Sequence, residues 1–326
     1  MTTFISYFSK EYVISALASM QSAVKSNPGS NGMLVCIDQE GLALLNGLSI
    51  SSNISIVPFE QLEKSKSEFE RFLITRTKFE ALVSIKPILL YEISQYISEN
   101  QHYIYLDTDV YFFNPIDKFL LENKQSSFIV FQHMYQEQQQ KYPFGKFNAG
   151  LVILKKNKFS NQILIEWAKL CSDWCFLRTE PGRYADQGYL DNLVNCESAL
   201  GAQSTSINLG MHYLLTRQKL KRNDEKILIN DEPLICFHFH GLRIGSKLIA
   251  TGLNRYGFKF SNLYIFKVIY EPVVRQLKAS AQCIKEFKPE ENFFFQETRL
   301  ESEKGRIFTF IGNLKSSIIK TYLFYL

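Results

Sequence analysis

The segment Tyr103-Ile104-Tyr105-Leu106-Asp107-Thr108-Asp109-Val110-Tyr111-Phe112-Phe113-Asn114-Pro115 constrains the fold more than any other. It begins as an aromatic and β-branched run, reaches two carboxylates spaced i, i+2, and is closed by an Asn-Pro breaker. This pattern predicts a buried strand that delivers acid groups to its own end. Residues i and i+2 of a strand share a face, so Asp107 and Asp109 are expected to enter one crevice with Thr108 turned away. An Asp-x-Asp also occurs as a solvated turn or a helix cap. Here both acids follow a run apolar enough to be central in a sheet, where an unpaired charge is costly, so a cation or a proton is required between them.

The chain before this segment builds a sheet up to it. Thr2 to Phe8, Met33 to Ile37 and Ile54 to Phe59 read as strands. Between them lie a helix over Tyr12 to Val24, with apolar Val13, Ile14, Leu17, Ala18 and Val24, and a helix-like stretch from Gly41 to Leu48. Strands alternating with helices predict an α/β protein with a parallel sheet. Glu60 to Arg71 is charged and reads as a solvated helix face. Phe72 to Tyr96 is mostly helical, with Pro87 either starting a new helix or kinking one. Lys86, at that break, is either a solvated cap or a cation reaching into the crevice. Short connections place the strand ending at Asp107 centrally, and open α/β sheets bind ligands where such strands end.

Downstream, Ser127 to His133 is strand-like and feeds a Gln-rich loop, Met134 to Pro143, that is either a lid or a surface loop. Phe147-Asn148-Ala149-Gly150 leads into the apolar run Leu151 to Leu154. Small residues there permit close approach, and the Asn148 amide can both donate to and accept from hydroxyls. Ile163 to Phe176 is helical, and Tyr184 to Leu190 opens another helix-like segment in which Asp186 suits an N-cap. Ile227 to Ile229, a turn at Asn230 to Pro233 and Leu234 to Phe239 read as a hairpin. It ends in His238-Phe239-His240-Gly241, two imidazoles at i, i+2 on one face, of which either could be a ligand. Beyond Gly252 the sheet pattern gives way to helix and loop. The tail, 305–326, mixes basic and bulky apolar residues and suits either a peripheral membrane face or a last helix docked on the core.

Composition sets outer bounds. The 326 residues are 46% hydrophobic, enough to bury a full core, and the net charge of +5 is spread along the chain and names no nucleic-acid module. Six cysteines without a paired Cys-x-x-Cys framework are expected to be reduced, as in a cytoplasmic protein. No signal peptide and no run long enough to span a bilayer are evident.

Two carboxylates and an imidazole make a mixed oxygen and nitrogen site suited to Mn²⁺ or Mg²⁺ more than to structural zinc. In an α/β crevice beside basic residues such an ion most naturally neutralises a diphosphate that leaves. The ordered set Tyr105-Leu106-Asp107-Thr108-Asp109 with Asn114-Pro115, then Phe147-Asn148-Ala149-Gly150, then Asp186-Gln187, then His238-Phe239-x-Gly241 resembles metal-dependent nucleotide-sugar glycosyltransferases of the GT-A fold. It is most similar to the glycogenin-like family 8 group and to bacterial nucleotide-diphospho-sugar transferases. The resemblance covers about residues 2 to 247.

That resemblance implies a GT-A, Rossmann-like, mixed but mainly parallel sheet flanked by helices, with a helical C-terminal extension. It implies a catalytic domain over 1–250, nucleotide-sugar binding mainly in 1–115 and the acceptor side mainly in 116–250, followed by the extension 251–326. Asp109, Asp107 and His238 would hold the metal, with Asp107 also near the ribose. Tyr12 would stack on the base, with Ser6 beside the nucleotide. Lys86, Asn148 and Asp186 would hold sugar hydroxyls or phosphate, with Gln187 near the anomeric carbon. The family's Lys-Pro-Trp ending is absent after Gly241, so Arg243 or Lys247 would serve the diphosphate. The donor would be a UDP-sugar and the acceptor a carbohydrate or glycolipid hydroxyl, with retention of configuration. The partners would include no nucleic acid, and the tail could hold the protein at the inner face of the membrane. A sugar-phosphate nucleotidyltransferase would use similar acids, but its Gly-rich basic loop is missing after the first strand. A catalytically silent carbohydrate-binding protein is the other alternative.

Overall fold

The computed structural model describes residues 1–46, 48–134, 144–214, 218–223, 226–245, 248–250, 263–290 and 323–325. The chain runs β1 (Thr3–Phe8), α1 (Val13–Ser26), β2 (Asn31–Cys36), α2 (Gln39–Leu45), β3 (Ile54–Pro58), α3 (Glu63–Leu73), α4 (Lys78–Ser94), β4 (His102–Leu106), β5 (Val110–Phe112), α5 (Asp117–Glu122), β6 (Phe128–Gln132), β7 (Phe147–Lys155), α6 (Lys158–Asp173), α7 (Leu190–Leu193), β8 (Ala199–Ala202) and α8 (Met211–Leu214). It continues through β9 (Leu220–Asn223), β10 (Lys226–Ile229), β11 (Glu232–Pro233), β12 (Cys236–His238), β13 (Arg243–Ile244), β14 (Leu248–Ala250), α9 (Leu263–Ile265), a π turn (Phe266–Tyr270), α10 (Glu271–Phe287) and β15 (Leu323–Tyr325).

Seven strands form the central sheet in the order β3-β2-β1-β4-β7-β6-β8, which places β4 in the middle. The first four are parallel, β7 is antiparallel to both β4 and β6, and β8 is parallel to β6, so the sheet is mixed and mainly parallel. Side-chain alternation divides the core. Phe4, Phe8, Ile104, Leu106, Ile129 and Ile153 pack towards α1 and α10, while Ile5, Tyr7, Tyr103, Tyr105, Val130 and Val152 pack towards α3, α4 and α6. Burial on both faces accounts for the nearly continuous apolar strands.

Two helices position the later chemistry. α4 starts from a capping box, Thr77 with Glu80, and continues through Pro87 as one helix, so Pro87 neither starts nor ends an element. α10 lies on α1, where the Gln276 amide donates to the Ala18 carbonyl at 2.9 Å.

The expected hairpin is only partly formed. β10 pairs with β9 and β11 around Asn230 and Asp231, both at positive φ as a tight primed turn requires. Leu234 makes the last backbone bond to Ile227, and the chain then leaves the hairpin. Pro233 has no N–H to extend the ladder. The fully buried Cys236 and Phe237 instead enter the core as β12, antiparallel to β5.

Among the described residues no helix is long and apolar enough to cross a membrane. All six cysteines are free, with Cys36, Cys171, Cys175 and Cys236 buried and Cys196 and Cys283 exposed. Of the basic, apolar tail only Leu323–Tyr325 is described, as a strand antiparallel to β14 rather than as a helix. The rest of 305–326, and 135–143 of the Gln-rich loop, lie outside the described residues.

Candidate active-site cleft at the end of the central strand

β4 ends at Leu106, one residue before the first acid. The Asp107 N–H donates to the Gly150 carbonyl at 2.8 Å, and the Val110 N–H returns to the Asp107 carbonyl at 3.0 Å. Asp107 and Asp109 therefore converge through a turn between β4 and β5, which corrects the expectation that strand alternation aligns them. β5 then fixes the third member. His238 lies opposite Val110 in the β5–β12 pair, and the Phe239 N–H donates to the Asp109 carbonyl at 2.8 Å.

The result is a compact group. One oxygen from each of Asp107 and Asp109 and one nitrogen of His238 all lie within 4.8 Å of one another. His238 Nε2 is 3.0 Å from Asp109 Oδ1 and 4.0 Å from Asp107 Oδ2. Burial opposes charge on His238, but Asp109 and then Asp107 outweigh it and raise the imidazole pKa above its ordinary value. The ring sits against Gly150, where a Cβ would come within 2.1 Å of its Cε1, so that position admits only glycine. Two hard oxygens and one imidazole nitrogen at this spacing fit a divalent ion of the Mn²⁺ or Mg²⁺ class.

Beside this group lies a buried ion pair. Lys86, on the buried face of α4, reaches Asp186 Oδ2 at 2.7 Å and Asp107 Oδ1 at 3.6 Å, and donates to the Ala149 carbonyl at 3.1 Å. Burial works against its ammonium, yet Asp107 and Asp186 raise its pKa and hold it charged. Burial raises the Asp186 pKa, and Lys86 pulls it back. Lys86 is thus a buried cation, and the Asp186 side chain does not cap the short helical turn that follows it. Its backbone is held by the Trp167 indole N–H at 2.9 Å, after Ala185 at φ 45, a left-handed conformation that alanine tolerates poorly. Nothing in the sequence marks that strained residue. The Tyr105 hydroxyl donates to Asp107 Oδ1 and was equally unmarked.

The second wall is built on two amides, Asn148 and Gln187. Asn148 Oδ1 accepts from the Gly150 N–H at 2.7 Å and from Asn208 Nδ2 at 3.3 Å, and Asn148 Nδ2 lies 3.3 Å from His240 Nε2. The amide expected to face hydroxyls is thus largely occupied by protein partners. Gln187 Nε2 donates to the Phe144 carbonyl at 2.8 Å and lies 3.4 Å from His133 Nε2. His133, His212 and Asn208 were not expected at the site. Their signal is spatial, since the end of β6 and the segment 208–212 meet only in the fold.

Lys86, Asp107, Asp109, Asn148, Asp186, Gln187, His238 and His240 line one cavity of about 570 Å³ that also includes Tyr12, Ser9, Phe79, Val83, Leu177 and Arg243, whereas His133, His212 and Asn208 are not among its lining residues. The structure therefore brings together Lys86, Asp107, Asp109, Asn148, Asp186, Gln187, His238, Tyr12 and Arg243. Ser6 is not among the lining residues: it shares the face of Phe4 and Phe8 and is fully buried, so Ser9 occupies the cavity end of that segment. Lys247 lies outside the described residues.

No family model matches the chain. It is 24% identical over 255 residues to the uncharacterized protein YfnD of Bacillus subtilis (strain 168), covering 75% of this chain and 78% of that protein. It is also 24% identical over 255 residues to YfnF of the same organism, covering 75% and 83%. The structure of an active-site mutant of LgtC, a GT-A glycosyltransferase, superposes with a TM-score of 0.50 at 14% identity, over 82% of this chain and 94% of that one. With its central acids at the end of the middle strand of a mixed, mainly parallel sheet, the chain has the GT-A fold.

Proposed function

We propose that the protein is a metal-dependent glycosyltransferase that moves a sugar from a nucleoside diphosphate donor, a UDP-sugar, to a hydroxyl acceptor. The observation that carries this reading is the convergence of Asp107, Asp109 and His238 in a cleft beside the charged Lys86. Asp107, Asp109 and His238 would hold Mn²⁺ or Mg²⁺, which when bound supplies Lewis-acid neutralisation of the leaving diphosphate. Tyr12 and Arg243 line the same cavity and would meet a base and phosphate oxygens. Asp186, Asn148 and Gln187 stand where a sugar would follow.

We favour retention of anomeric configuration. Among the described residues, the carboxylates lining the cavity are Asp107, Asp109 and Asp186. The first two belong to the metal group, and Asp186 is buried against Lys86 at 2.7 Å. This leaves none of the three free to deprotonate an acceptor, a task that then falls to the departing phosphate. An NMR time course showing an inverted product anomer would remove this part.

The acceptor is proposed to belong to surface polysaccharide or glycolipid synthesis, with the basic, apolar tail holding a cytoplasmic enzyme at the membrane face. Sedimentation with anionic vesicles tests that placement. The core reading is tested by a nucleotide-sugar panel with and without Mn²⁺, scored by nucleotide release. Metal-dependent release from one donor class is expected, and failure of every donor to bind or turn over would sink it.

A further inference from the structure

Four of the five histidines in the chain lie at one end of the cleft. Ring centroids of His133, His212 and His240 form a triangle with sides of 6.2, 6.4 and 6.5 Å, and His240 lies 3.7 Å from His238. The metal group uses only His238. Of the other three, His240 meets the Asn148 amide, His133 meets the Gln187 amide, and His212 meets the backbone of His133.

His212 Nε2 donates to the His133 backbone carbonyl, and the His133 N–H donates to the Lys146 carbonyl at 3.0 Å, so the backbone of His133 is held from both sides. Burial, and then His212 and His238, push the His133 pKa down to about 3, so its imidazole is neutral at working pH. The ring also hydrogen-bonds the Phe147 backbone. The tautomer that gives its Nδ1 hydrogen to that backbone leaves Nε2 as an acceptor, and Nε2 faces Gln187 Nε2 at 3.4 Å. Gln187 Nε2 has two hydrogens, one for Phe144 O at 2.8 Å and one for His133. An amide whose nitrogen is satisfied on both hydrogens has its orientation settled, because the reversed amide would aim its oxygen at two acceptors.

We propose that His133 is a positioning residue that locks the Gln187 amide with its nitrogen towards β6 and its carbonyl oxygen available to the bound sugar. The role rests on the glycosyltransferase reading for its catalytic consequence, but not for the orientation itself. His133 does not line the cavity, so it acts through Gln187 and touches no substrate. Its end of β6 follows the register shift between Val130 and Phe131, which sets the side-chain direction of the strand's last residues.

The test compares His133→Phe, which keeps a ring but removes the acceptor, with His133→Gln, whose side-chain oxygen can replace Nε2. Selective labelling of glutamine side chains gives the Gln187 NH₂ resonances, identified by their loss in Gln187→Glu. Both proton shifts should move in His133→Phe and stay near wild type in His133→Gln, whether or not a donor has been found. With an active donor, kcat should fall about tenfold in His133→Phe, as expected for one lost orienting hydrogen bond, with donor KM changed less than about twofold. His133→Gln should recover most of kcat. Unmoved Gln187 resonances in His133→Phe would overturn the proposal. So would equal loss in both variants, because a merely structural role would not distinguish them. Absence of turnover in the wild type with the spectral shifts intact would instead count against the glycosyltransferase reading.

Discussion

The two walls of the cleft solve the same problem, holding polar groups away from water, by opposite means. On one wall Lys86, Asp107, Asp109, Asp186 and His238 balance formal charges, with contacts of 2.7 Å between Lys86 and Asp186 and 3.0 Å between His238 and Asp109. On the other, the amides of Asn148 and Gln187 are fixed, with Asn208, His133 and His240 as partners, by directional hydrogen bonds of 2.7 to 3.4 Å. Charged partners tolerate rotation but not removal. Neutral amides tolerate modest loss of energy but not a wrong orientation.

The contrast is open to attack, first where the effect is largest. Asp109→Ala should reduce turnover by on the order of 10³-fold while leaving the thermal midpoint within about 3 °C, because Asp109 contributes to the metal group and not to the core. Chelation of divalent ions should produce the same loss, reversed by Mn²⁺ or Mg²⁺. Retained activity under either treatment would remove the metal from the account.

Lys86→Met should destabilise the fold by about 3–5 kcal/mol in urea unfolding, since it strands the buried Asp186 carboxylate. Combining it with Asp186→Leu should recover a large part of that loss, as expected for a pair whose removal together leaves no isolated charge. A double variant no more stable than the single would mean that the wall is not held by this ion pair.

Asn148→Ala probes the amide wall and should cost only about 1–2 kcal/mol, but about tenfold in kcat, because the Gly150 N–H and the Asn208 amide lose their acceptor beside His238. A loss of stability equal to that of Lys86→Met would erase the distinction between the walls.

The smallest effect concerns protons. His133 is buried neutral with its pKa pushed down to about 3, next to His212, whose pKa burial also lowers. The unfolded chain takes up a proton near pH 6.5 that the folded chain refuses. Stability from this residue is therefore present above pH 6.5 and lost progressively as pH falls towards 3. Thermal midpoints should drop less steeply between pH 7 and pH 5 in His133→Gln than in the wild type, and parallel curves would place the acid sensitivity elsewhere.

The same division decides what the sequence could reveal. Charges in an apolar context are conspicuous, so Asp107, Asp109, His238, Lys86 and Asp186 were all readable as candidates, and the parallel strands feeding them followed from burial on both faces. The acids were nevertheless aligned by a turn, since strand alternation cannot foresee that β4 stops at Leu106. Neutral partners carry no such contrast. His133, Asn208 and His212 are ordinary in their own segments and gain meaning only when the end of β6 meets the distant 208–212 segment. Ser6 was misplaced for a related reason: its position on β1 turns it to the α1 face, and only the end of the segment reaches the cavity.

Pro87 carries one more implication. Sitting inside α4, it has no N–H to give to the carbonyl of residue 83 one turn earlier. Val83 lines the cleft, one turn from Lys86 and between the exposed Phe79 and the ion pair. A residue that looks like a flaw in the helix thereby removes one backbone hydrogen bond from the turn that carries Lys86 into the cleft. Replacing Pro87 with a residue that carries an N–H would restore that bond and stiffen the turn behind Lys86.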